Sequence, residues 1–243
     1  GLDAMQAGLV GLSFSAAPGR AFYVPVGHTH TAHPELALGA ADGLVEGQIP
    51  LGEVLESVKP LFDDPSIAKT AHNANFDMMV LRNYDIEVRG LTFDTMVAAH
   101  LAGRNTLGLK QLAFQLLNKE MTEITDLIGR GRKQITFDHV PVEQAAPYAA
   151  ADADMTARLH ALQKDELGRH RVESLFSEVE MPLVPVLVEL RHTGITVDQE
   201  KLREMSGDLI EELRTLEEEI YEEAGERFNI NSPQQLGNIL FED

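Results

Sequence analysis

Ile67-Ala68-Lys69-Thr70-Ala71-His72-Asn73-Ala74-Asn75-Phe76-Asp77 reads as a strand running straight into a helix. Residues 67–72 have strand character. From Asn73 to Tyr84 the apolar residues Phe76, Met79, Val80 and Tyr84 recur at helical spacing. Asn73 and Asp77 lie four apart, so one face of the opening helical turn presents both. A strand that hands two polar side chains to the first turn of a helix is a unit of an α/β fold, and it places those groups at a sheet end.

The flanking sequence repeats this alternation. Upstream, residues 10–15 and 21–26 read as two strands joined by the turn Ala17-Pro18-Gly19-Arg20, which makes a hairpin. Residues 28–47 form a loop rich in His, Pro, Ala and Gly. A helix is predicted over 51–62, started by Pro50 and closed by Asp63-Asp64-Pro65. Downstream, Leu91-Thr92-Phe93 reads as a strand, and Asp94 sits where a cap would precede the helix 96–101. Further helices are predicted over 109–117 and 148–167, with a strand-like Gln134-Ile135-Thr136-Phe137 between them. The whole predicts an α/β layer fold with a mostly central sheet.

Near residues 168–172 the texture changes. Long acidic helices follow over 172–191 and 198–225, joined by His192-Thr193-Gly194-Ile195-Thr196-Val197-Asp198. The expected organisation is an α/β domain over 1–170 and an all-α segment over 171–243. The 243 residues, 44% of them hydrophobic, are enough for one such domain and a smaller piece. No apolar run approaches the ~20 residues of a membrane span. The first residues lack a basic region followed by an apolar stretch, which excludes a signal peptide there. No cysteine is present, so neither disulfides nor thiolate metal sites arise. A cytoplasmic, monomeric protein with no membrane association is expected. The net charge of −19 weighs against nucleic-acid binding, although the acid is concentrated late, from Glu211 to Glu223. Carboxylates that hold divalent cations can also admit a DNA end locally.

Two constellations carry chemistry. One is Asn73 with Asp77. The other is Tyr148-Ala149-Ala150-Ala151-Asp152, a phenol and a carboxylate four apart across three small residues that let the backbone pack closely. Carboxylates from separate elements with a phenol suit metal-assisted phosphodiester hydrolysis, in which carboxylates hold the ions and the phenol orients the attacking water. The plainer reading makes each Asp a cap or a surface group. Asp154, two positions on, is expected to face solvent. Gly129-Arg130-Gly131-Arg132-Lys133 is a compact basic loop that suits phosphates of an entering single strand, or is a solvated turn. His28, His30 and His33 invite a metal reading, but a flexible surface loop explains them more simply. The acidic helix with Leu209, Leu213, Leu216 and Ile220 on one face is amphipathic and carries no chemistry.

These segments resemble the second and third exonuclease motifs of the proofreading domain of bacterial family A DNA polymerases, the DNA polymerase I family. Leu9 to Phe14, Tyr23 to Val26 and Phe93 to Met96 are similar to that family in the same order. So, toward the end, are Glu180-Met181-Pro182-Leu183-Val184-Pro185-Val186-Leu187 and Phe228-Asn229-Ile230-Asn231-Ser232-Pro233-Gln234-Gln235-Leu236, which resemble the opening of the polymerase domain. The resemblance implies a ribonuclease H-like fold and 3′–5′ exonuclease activity that uses two Mg²⁺ or Mn²⁺ ions on a single-stranded DNA 3′ end. It makes Asp77 and Asp152 metal ligands and Tyr148 the residue that positions water. Asn73 would support Asp77 and the substrate end. Leu2 would be an apolar wedge between the last two bases, and His72 and Phe76 would contact the terminal nucleotide.

One departure stands out. The family's first exonuclease motif is an Asp-x-Glu placed a few residues before the position of Leu2, and Asp3 has no Glu two residues on. The chain is therefore expected to lack two of four carboxylates and to be inactive in isolation. Two other readings compete with exonuclease activity. One is a non-catalytic structural platform of the same fold. The other is a free-standing nuclease, which the polymerase-like stretch 180–236 speaks against.

Overall fold

The computed structural model describes residues 3–30 and 43–241. The chain divides into two compact units, Gly1–Thr193 and Gly194–Asp243. In the first, β1 (Gly11–Ala17) and β2 (Arg20–Pro25) form the expected antiparallel hairpin, with an irregular register between Ser15 and Ala17. Gly19 turns it with φ +83°, a conformation glycine adopts without steric cost. Helix α1 (Leu51–Asp63) follows. Then β3 (Lys69–Ala71), α2 (Ala74–Arg82) and β4 (Leu91–Asp94) make a β-α-β unit in which the two strands pair in parallel. Helices α3 (Thr95–Leu101), α4 (Leu109–Leu117) and α5 (Ile124–Ile128) lead to α6 (Val142–His170). Then come α7 (Glu173–Leu175), a π turn (Phe176–Glu180) and α8 (Met181–Thr193).

The mixed α/β class is as the sequence predicts, but the expected central sheet is not. Among the described residues the strands form two separate two-stranded ladders. Helix α6 packs on β1, β2 and β3 as well as on α3 and α4, so one long helix ties the layers together. It begins six residues before the predicted start, and Pro147 lies inside it. Its small inward residues Ala145 and Ala149 allow the close approach. Residues 134–137 form no strand. Phe137 instead opens a 3₁₀ turn (Phe137–His139), and its ring packs near His28 and Tyr148. The predicted helix over 172–191 is interrupted by the π turn, just ahead of Pro182, whose ring nitrogen has no hydrogen to donate.

Among the described residues, three apolar clusters hold this unit. One gathers Ala74, Met78, Met79 and Val80 of α2 against Val184 and Val188 of α8. A second joins Phe93, Ala98, Leu167, Phe176 and Met181, and a third joins Ala99, Leu112 and Leu159. Each large side chain buried here contributes roughly 1.5–3 kcal/mol.

The second unit holds α9 (Gln199–Ala224), capped by Asp198, which accepts from Glu200 and Lys201 N–H, and α10 (Pro233–Phe241). Among the described residues no helix is long and apolar enough to cross a membrane.

Candidate functional site

Register places Asp94 beside Ala71 at the end of the β3–β4 ladder. From there its carboxylate accepts the backbone N–H groups of Asn73 at 3.2 Å and Ala74 at 2.7 Å. It also caps α3 through Met96 N–H at 2.8 Å and Val97 N–H at 3.3 Å, as the sequence predicts for a cap. Asn73 takes a left-handed conformation, φ 62° and ψ 50°, which turns the chain from strand into α2. Asn tolerates this region better than most side chains. Asn73 is exposed, and Asp77 stands in the first turn of α2. Crowding by protein pushes the Asp77 carboxyl up to about 7, and the negative charges of Asp94 and Asp152 add to the rise. Water nonetheless reaches the Asp77 side chain.

The other half of the site comes from α6. Tyr148 and Asp152, one helical turn apart, line a cleft of about 350 Å³ with Met121, Leu127, Gln144 and Ala151. Asp152 is half-buried, and burial pushes its carboxyl up to about 6. Lys110 opposes that rise and Glu123 adds to it. Its Oδ1 is buried and no protein donor reaches it. Burial, with the Asp152 and Glu123 charges, holds the Tyr148 phenol well above its ordinary range and therefore protonated. Lys110 contacts the phenol oxygen at 3.2 Å. A larger recess of about 410 Å³ among Lys59, Asp63, Arg82 and Arg89 contains none of the candidate residues.

A buried carboxylate oxygen without a donor is what a divalent cation would satisfy, so Asp152 fits a metal ligand. Among the described residues, however, no group of three or more His, Asp or Glu side chains is gathered around one point.

The remaining candidates fall as follows. Leu2 and His33 lie outside the described residues. His72 is half-buried, and its Nδ1 lies 2.8 Å from Thr95 Oγ1. Phe76 is half-buried against the α2–α8 cluster. Arg130 and Arg132 are exposed, and Arg130 reaches Thr125 Oγ1 at 3.1 Å.

Two expectations are corrected. His28 is not on a surface loop but fully buried. Its Nδ1 lies 2.9 Å from the Val140 carbonyl, which only accepts, so Nδ1 carries the hydrogen. In the neutral ring Nε2 then accepts from the Tyr23 hydroxyl at 2.7 Å. Asp154 does not face solvent. Its carboxylate accepts the Gly19 N–H at the hairpin tip and Arg158 Nε at 2.9 Å. Sequence reasoning missed Lys110, which lay unremarked in a predicted helix, and the part Asp94 plays in shaping the Asn73 turn.

The family described as 3′-5′ exonuclease matches residues 1–167, and the family described as DNA polymerase family A matches residues 199–243. A DNA polymerase I of Chloroflexus aurantiacus is 46% identical over 99% of this chain and 24% of its own length. One from Rhizobium leguminosarum is 40% identical over 99% of this chain and 24% of its own. The chain thus spans about a quarter of the length of the curated relatives it matches. Among solved structures, the POL domain of Pol1 from M. smegmatis, in complex with DNA primer-template and dNTP, is similar with a TM-score of 0.64. It is 26% identical and matched over 82% of this chain and 32% of its own. A nuclease in its apo form shares the fold at a TM-score of 0.54 and 19% identity, over 80% of this chain and 81% of its own. On these matches the chain belongs to the 3′-5′ exonuclease family found in DNA polymerase I, followed in sequence by a stretch of family A DNA polymerase.

Proposed function

We propose that residues 1–170 are the proofreading exonuclease domain of a DNA polymerase I, and that 171–243 open its polymerase domain. The family match that ends at residue 167 supports the boundary. Helix α8 nevertheless packs on α2 within the first compact unit. The substrate is a single-stranded DNA 3′ end, and the product is a nucleoside 5′-monophosphate.

The observation that carries this reading is the bare, buried Asp152 Oδ1 one turn from a protonated Tyr148 in one cleft. The side chains that would hold divalent metal, Mg²⁺ or Mn²⁺, are Asp77 and Asp152, with two ions in a complete site. Such an ion, when bound, polarises the phosphate and lowers the pKa of water. Tyr148 orients the attacking water through its hydroxyl. Phe76, with Leu2, stacks on the terminal bases, an interaction that tolerates any base and contributes on the order of 1–3 kcal/mol per base. Asn73 and His72 border the same 3′ end, and Arg130 and Arg132 meet phosphates of the entering strand. A paired end must first melt, at a cost of a few kcal/mol. Mismatched ends are therefore cut first without any reading of the error itself.

The test is stepwise shortening of 5′-labelled DNA by the full-length protein with Mg²⁺. Frayed ends should be degraded faster than paired ones, Asp152→Ala should abolish turnover, and Tyr148→Phe should lower it with little change in DNA affinity. Equal rates on both ends would count against the proofreading preference, and no turnover even with the full sequence would favour the structural-platform reading. The isolated 243-residue chain should itself show negligible turnover, because Asp77 and Asp152 alone leave too few ligands for a hard cation.

A further inference from the structure

Lys110 brings a cation into the cleft. It stands on α4 with its side chain only 15% exposed. Three oxygens surround its Nζ: Tyr148 Oη at 3.2 Å, a Glu123 carboxylate oxygen at 3.8 Å and the Thr122 carbonyl. The ammonium also lies 4.4 Å from the centroid of the Tyr148 ring, within cation–π range. On another side, the Phe137 ring centroid is 5.9 Å from that of Tyr148.

The chemistry of the pair is asymmetric. An ammonium has three hydrogens and no lone pair, so it only donates. The Tyr148 oxygen must accept from it, and the hydroxyl hydrogen is then directed elsewhere. Along α6, Glu143, Gln144, Pro147, Ala151 and Asp152 line the same cleft as Tyr148. Lys110 meanwhile leaves Asp152 Oδ1 without a donor.

We propose that Lys110 is a positioning residue for the exonuclease reaction: it occupies the acceptor side of the Tyr148 phenol and thereby fixes that hydroxyl as a donor into the cleft. A phenol held in this way orients a water or a phosphate oxygen and cannot serve as the base. Glu123 and the Thr122 carbonyl hold the lysine in turn, so the segment before α5 reports on the orientation of a residue in α6. The inference rests on the exonuclease reading of the site.

Two measurements test it. In the full-length protein acting on single-stranded DNA, Lys110→Met should lower kcat about 10–100-fold, the usual scale for losing a group that orients a site residue, with KM changed less than about two-fold. Lys110→Arg, which keeps a cationic donor, should recover most of the loss. In this chain, labelled with ¹³C at tyrosine Cζ alone, four signals are expected, and Tyr148→Phe assigns one of them. Lys110→Met should move that signal and leave Tyr23, Tyr84 and Tyr221 in place, while Lys110→Arg should leave all four near their original positions. If Asp152→Ala abolishes turnover while Lys110→Met leaves kcat unchanged, the exonuclease reading stands and the positioning role is overturned. If neither Asp152→Ala nor Tyr148→Phe affects turnover, the exonuclease reading fails. The positioning role in that reaction falls with it, and the ring signal then shows only whether Lys110 orients the phenol. Movement of all four signals in both lysine variants would mark general damage and would also overturn the positioning role.

Discussion

Asp94 Oδ2 accepts the backbone N–H of Ala74 at 2.7 Å, so the end of one strand fixes the first turn of the helix that leaves its neighbour. The same carboxylate caps α3, and it is 2% exposed. Asp94→Ala removes the cap, worth about 1 kcal/mol, and strands backbone donors at about 1–3 kcal/mol. The expected loss is about 2–4 kcal/mol in urea unfolding. Asp94→Asn, which keeps one acceptor, should lose less. Equal losses in the two variants would show that the accepted hydrogen bonds are not what matters.

The Asp152 carboxyl is raised to about 6 in the fold from an ordinary value near 3.8. The folded state therefore favours the protonated form. Its contribution to stability is greatest below the ordinary value and is lost as pH rises through about 6. Without metal, Asp152→Asn should stabilise the chain at pH 8 by on the order of 1–3 kcal/mol, and by much less near pH 4. In the full-length protein at pH 8, added Mn²⁺ should raise the Tm, and Asp152→Asn should diminish that rise, because the variant has lost a charged ligand. A thermal shift of the same size in both would remove Asp152 from the metal site.

His28 behaves in the opposite sense. Burial lowers its pKa despite its bond to the Val140 carbonyl and the nearby Asp138 charge. The unfolded chain takes up the proton first as pH falls below about 6.5, so this contribution is present at neutral pH and lost on acidification. His28→Gln should cost more stability at pH 7.5 than at pH 5.5. The comparison of the two proteins at each pH cancels the carboxylate effects. A constant difference would mean that His28 titrates as freely in the fold as outside it.

Asp154 ties the hairpin tip to α6 by accepting the Gly19 N–H. Asp154→Ala should cost about 1 kcal/mol, the usual net worth of such a bond, and should speed amide exchange at Gly19. Unchanged exchange there would show that the hairpin holds its place without this contact.

Local chemistry was legible in the sequence, and long-range contact was not. Helix α4 runs over the predicted residues because Gly108 precedes it and Asn118, left-handed at φ 51°, follows it. Asp94 announces its cap for the same reason: its partners Met96 and Val97 are two and three residues away. His28 looked like a loop residue because what buries it, Val140, is 112 residues away in sequence. Lys110 meets Tyr148 across 38 residues and stayed hidden likewise. The strand reading of 134–137 followed β-prone composition, but Phe137 has an aromatic pocket to fill, and packing overrides propensity. In the site, the i, i+4 pairing of Tyr148 with Asp152 was visible, while the orphaned Oδ1 depends on how α6 is buried.

The π turn at Phe176–Glu180 sets the phase of everything after it within this unit. Phe176 and Met181, five residues apart, enter the same cluster, whereas five steps of a regular α-helix would splay them by about 140°. Deleting a single residue between them would turn the following helix by about 100° and carry Val184 and Val188 off the face that meets Met78 and Met79. The stretch from Phe176 to Met181 should thus accept many exchanges of side chain but no change of length. A single inserted or missing codon there would unseat α2, and with it the turn that carries Asp77.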